Sequence, residues 1–145
     1  MKKMIFASVV MLALAACSDS DSTSCDGCEF SCDVTRNANS IVREIRYRDF
    51  SRVSTVTLNS NGNLPYHTER RVFPTAAIAE RECQKEMDRG DYKDIECYGK
   101  TIDAGELAAD LGLDYWESFY RTACADLEDQ YKNGLIAKEY NNLGW

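Results

Sequence analysis

Polar and apolar residues alternate along IVREIRYR (residues 41–48), where Ile45 and Tyr47 are set against Arg46 and Arg48. A period of two predicts a half-buried strand. RVSTVTL (52–58) is rich in β-branched residues, and the following Asn61-Gly62 is a strong turn signal, so a hairpin is expected. Its return strand is LPYHTERRVF from residue 64, with Pro65 near the strand start or on an edge because proline cannot donate to the ladder. After Pro74 the period lengthens. AAIAERECQKEMDR predicts a helix opened by Pro74 or Thr75 and ended by Gly90, and 103–111 reads as a short helix closed by Gly112. The longest helix is predicted over 114–134, where Trp116, Tyr120, Cys124, Leu127 and Tyr131 recur at steps of four and three and make one apolar core stripe. Strands grouped before helices give an α+β expectation: a small antiparallel sheet of about three strands followed by three helices.

The first residues follow a different logic. MKKMIFASVVMLALAACS begins with two lysines, continues with an apolar run and closes on small residues before a cysteine. That order is a secretory signal, and the apolar run is shorter than the roughly 20 residues a spanning helix needs. Leu14, Ala15, Ala16 and Cys17 resemble the lipobox of bacterial lipoprotein precursors. The resemblance covers the first eighteen residues only. It implies that residues 1–16 are removed and that Cys17 becomes the first residue, carrying lipid on its sulfur and its amine, with membrane attachment through that anchor. Ser18 stands where an aspartate favours inner-membrane retention in the enterobacterial version, so the resemblance implies the outer membrane. Asp19 and Asp21 also suit lipoproteins carried to the cell surface, which leaves open the periplasmic or outer face. SDSDSTS (18–24) has no apolar residue with which to offset the entropy of ordering, so 17–24 reads as a solvated tether and 25–145 as one domain.

Seven cysteines occur in the chain, and setting Cys17 aside leaves Cys25, Cys28, Cys32, Cys83, Cys97 and Cys124. An even number in an exported chain fits disulfides, although sequence alone does not choose among the fifteen pairings of six cysteines. Cys83 with Cys97 is the favoured pair. About two helical turns lead down to Gly90, and a similar number of extended residues bring Cys97 back; Cys124 then bonds one of the N-terminal three, and the other two pair locally. Metal alternatives each lack a part: Glu29 replaces the histidine of a c-type haem site, no second C-x-x-C completes a zinc ribbon, and His67 is the single histidine. No metal or cofactor is expected.

Charge changes the picture once more. The net charge is −7, yet residues 36–73 hold seven arginines against Glu44, Asp49 and Glu69, while acids outnumber bases two to one beyond Phe73. In one reading the arginines pair with carboxylates of the helices or face water. In the other, Arg43, Arg46, Arg48, Arg70 and Arg71, with Tyr47 and Tyr66 between them, form a surface for an anionic glycan or an acidic envelope protein. Nucleic acid does not suit an acidic exported protein. No G-x-S-x-G, H-E-x-x-H or P-loop occurs, no catalytic residue stands out, and His67 beside Thr68 and Glu69 reads as an ordinary strand residue. The expectation is an envelope lipoprotein with a disulfide-stapled binding or assembly module. The alternatives are a small carboxylate-based hydrolase, a thiol-disulfide protein using Cys25 and Cys28, or a structural lipoprotein.

Overall fold

The computed structural model describes residues 30–58 and 65–136. Cys17, Cys25, Cys28, the tether and Asn61-Gly62 lie outside the described residues. Eight elements follow in the order β1 (Phe30–Arg36), β2 (Ser40–Tyr47), β3 (Phe50–Thr57), β4 (Tyr66–Val72), α1 (Ala76–Arg89), β5 (Asp94–Tyr98), β6 (Thr101–Leu107) and α2 (Gly112–Lys132). The strands form one antiparallel sheet in the order β1-β2-β3-β4-β6-β5.

The α+β class stands, but the expected sheet of about three strands with three helices does not: the described residues contain six strands and two helices. The largest correction concerns the short helix expected over 103–111. Ala104, Glu106 and Leu107 are good helix formers, but the first part of this stretch, up to Leu107, is drawn into the ladder as β6, paired with β4 on one side and β5 on the other. Gly105 has a use there. A Cβ at this position would come within 2.5 Å of the Tyr66 hydroxyl, so only glycine lets Tyr66 lie across the strand.

Strand alternation sorts the side chains onto two faces. Ile41, Arg43 and Ile45 of β2 point the same way as Phe50, Arg52, Ser54 and Val56 of β3, Glu69 and Arg71 of β4, and Ile102 and Ala104 of β6, and all are buried. Both helices lie on this face: α2 covers β1 and β2, and α1 covers β5 and β6. Under α1 the core is Phe50, Phe73, Ala79, Cys83 and Ile102. Under α2 it comprises Ile41, Val56, Leu113 and Tyr120, with Cys32, Ile45, Cys124 and Leu127 beside them. The expected stripe of the long helix is this buried face, with Trp116 and Tyr131 half-buried at its ends. Two disulfides fix the helices to the sheet edges, Cys32–Cys124 joining β1 to α2 and Cys83–Cys97 joining α1 to β5.

Helix α1 starts and stops where its sequence signals it. Thr75 adopts an extended conformation and accepts a hydrogen bond from Ile78 N at 3.2 Å, and Gly90 closes the helix in the left-handed conformation at φ 69°. Thr75→Ala is expected to cost about 1 kcal/mol in a urea melt, the usual cost of losing an N-cap side chain.

Candidate functional site

Because the helices cover the flanks of the sheet, the middle of the same face is a cleft of about 520 Å³. Its floor is made by Arg43, Arg52 and Glu69 from the central strands. One wall is Trp116, Phe119 and Tyr120 of α2; the other is Asp91 and Tyr92, just beyond α1, and His67 and Glu106 complete the lining.

Charges in the floor are buried, which is costly unless they are paired. Arg52 Nη2 donates to Glu69 Oε2, and Arg71 Nε lies 2.8 Å from Glu69 Oε1 as an ion-pair contact rather than an aligned hydrogen bond. Arg71 Nη1 in turn donates to Glu86 Oε1 of α1 at 2.9 Å, and Arg89 Nη2 donates to the same oxygen. The result is a chain of alternating sign, Arg52–Glu69–Arg71–Glu86–Arg89, that crosses from the sheet to α1. Burial pushes the Glu69 carboxyl up, but the guanidiniums of Arg52 and Arg71 outweigh it and hold the group below the ordinary carboxylate range.

Arg43 stands at the other end of the floor, only 3 % exposed. Its Nη2 donates to Ser54 Oγ at 3.3 Å, and its guanidinium carbon lies 4.6 Å from the centre of the Tyr120 ring. Burial, and then the like charge of Arg52, pull its pKa down to about 10. The Tyr120 phenol, pushed up to about 12 by burial, has no hydrogen-bond partner for its hydroxyl among the described residues. Tyr92 is raised as well, by burial and then by Glu69. Trp116 meets Phe119 edge-on at 5.9 Å and Tyr120 at 6.1 Å, and the Trp116 indole donates to the Ala109 carbonyl at 3.3 Å.

The seven residues expected to share a surface are divided by the sheet. Arg43 and Arg71 are buried on the covered face, whereas Arg46 and Arg70 are exposed on the opposite one. Arg46 Nη2 is 2.6 Å from Glu44, and Arg70 makes a two-pronged pair with Asp103 at 2.7 and 2.8 Å. Tyr66 bonds Asp94 at 2.6 Å beside them. Tyr47 packs against Phe30 and Tyr131 at the end of the sheet, and Arg48, in the β2–β3 turn at φ 52°, lies over its ring. The open face has a hollow of its own between Tyr66, Arg70, Asp94 and Asp103, but its charges are surface pairs.

Sequence reasoning passed over Arg52, Glu69 and Tyr92, and read Tyr120 and Trp116 as core alone. A signal for the floor was present: Arg43 sits between Ile41 and Ile45 at the period that points inward, a charge on the apolar face of its strand. His67 Nδ1 and Glu106 Oε1 lie 3.1 Å apart in the cleft, and none of the described lining residues is Ser, Thr or Cys. No group of His, Cys, Asp and Glu suited to a metal ion occurs among the described residues. No family model matches the chain, and neither a curated protein nor a solved structure matches it.

Proposed function

We propose that the protein is a bacterial envelope lipoprotein, anchored through Cys17 in the outer membrane, whose domain is a binding module with the central cleft as its site. The observation that carries this reading is a buried arginine at the foot of a cleft walled by aromatic side chains. A protein interior that places guanidiniums beside an open cavity gives up stability that apolar residues of similar volume would supply, and ligand recognition is a reason to keep them. Hydrolysis by paired carboxylates is less well supported. Glu69 is held ionised by two arginines and cannot act as a general acid, and Glu106 is tied to His67. A role in assembly has one observation of its own: Tyr115 and Phe119 are exposed side by side on α2 with their rings stacked at 6.4 Å, the kind of apolar surface a protein partner covers.

Trp116 reports on the cleft directly. Small molecules extracted from envelopes should change its emission, and the response should survive Trp145→Phe and vanish with Trp116→Phe; the reverse pattern would place binding elsewhere. The anchor has a separate test. Cys17→Ala should move the protein from the detergent-rich to the aqueous phase on partitioning, because the acyl chains hold it in the first. Unchanged partitioning, with no lipid mass on the N-terminal peptide, would remove the anchor.

A further inference from the structure

Resting on the reading of the cleft as a binding site, we propose that its ligand is a small aromatic carboxylate, the acid group against Arg43 and the Tyr120 hydroxyl, the ring among Trp116, Phe119 and Tyr92.

The floor selects for a negative group. Arg43 is almost wholly buried yet lines the cavity, and a guanidinium offers a planar fork of donors that matches a carboxylate. Burial and the neighbouring charge of Arg52 disfavour its protonated form; an anion beside it would reverse that pressure. The Tyr120 hydroxyl, on a side chain 2 % exposed that lines the same cleft, is a second donor, without a hydrogen-bond partner among the described residues. Buried hydroxyls are rarely left so, and a carboxylate oxygen would satisfy it.

The remaining charges limit the ligand to one negative group. Glu69 is held by Arg52 and Arg71, Glu106 lies 3.1 Å from the His67 ring, and Asp91 lies 3.8 Å from Arg89, so each lining carboxylate is already engaged within the protein. They nevertheless repel a second negative charge nearer the mouth, which disfavours phosphates and dicarboxylates. The walls select for a ring. Trp116, Phe119 and Tyr120 already contact one another edge-on or tilted at 5.9 to 6.1 Å, and a flat aromatic body extends that arrangement.

Calorimetric titration of the folded domain with phenylacetate, phenylacetamide and phenethylamine tests this, with indole and amide chemical shifts recorded on the same samples. Phenylacetate should bind at least about tenfold more tightly than the amide, the usual worth of a charged hydrogen-bonding pair, and the amine should not bind. Arg43→Met, checked for a native melt, should erase the preference for the acid. Tyr120→Phe deletes only the hydroxyl and should weaken the acid several-fold while leaving the amide unchanged, so the inference stays testable even where Arg43→Met does not fold. Equal affinity of acid and amide, with shifts at Trp116, would overturn the charge inference and leave the cleft as a binding site. Absence of any binding of these probes at tens of millimolar, or shifts away from Trp116, would overturn both.

Discussion

Glu69→Gln is expected to lower stability at neutral pH by about 3 to 5 kcal/mol, the cost of removing one member of a buried ion pair. The size follows from what remains. Glu69 is 2 % exposed and stands between Arg52 and Arg71, which are themselves paired across β3 and β4. Without its charge, two buried guanidiniums face each other with only a neutral amide between them. Arg46→Ser, which breaks an exposed pair on the other face, should scarcely move the urea midpoint. The pH dependence has a definite sign. Because the folded pKa of Glu69 lies below its unfolded value, near 4.3, its contribution is complete above that value and is lost as pH falls through the folded pKa. Wild-type melts below about pH 4 should therefore fall more steeply than those of Glu69→Gln. Parallel acid limbs, with similar stability at pH 7, would mean that the carboxylate is not held between the two arginines.

The second large effect belongs to the disulfides, and here the two bonds should differ. Cys32–Cys124 spans 92 positions in sequence and Cys83–Cys97 only 14. Constraint of the unfolded chain grows with loop length, so the long bond is expected to contribute about 4 to 5 kcal/mol and the short one about 3. Position reinforces the order. Cys32 and Cys124 pack with Ile45 and Leu127 inside the core beneath α2, so their replacement also thins apolar contact, whereas Cys97 lies exposed on edge strand β5. Paired Cys→Ala variants, compared by non-reducing urea denaturation, give the ranking. A larger loss from the Cys83/Cys97 pair would contradict it.

Much of the frame was legible because local signals agreed with the final structure. Thr75 and Gly90 mark the ends of α1, the β3–β4 hairpin follows its β-branched runs, and the stripe from Trp116 to Tyr131 becomes the inner face of α2. The pairing of Cys83 with Cys97, and of Cys124 with one of the N-terminal cysteines, also appears. Where the reading failed, tertiary pairing overrode local preference. FSCDVTR and DIECY are short strands with little apolar content, and they are strands because β2 and β6 supply hydrogen bonds. The segment around Asp103 has helix-forming residues but becomes β6 between two partners. The basic segment was visible as a count of arginines, but its division was not. Neighbours such as Arg70 and Arg71 point to opposite faces, and only the sheet reveals that one is a surface ion pair and the other part of the cleft's buried support. Tyr92 could not be assigned to the site at all, since it reaches the cleft from a connection far from Arg43 in sequence.

Chemical-shift mapping with phenylacetate decides most directly whether the cleft, and not the open face, is where this domain binds. The cleft account predicts shifts confined to the Trp116 indole, the Tyr92 and Tyr120 amides and the neighbourhood of Arg43 and Ser54. Shifts centred on Tyr66, Arg70 and Asp103, across the sheet from that floor, would contradict it.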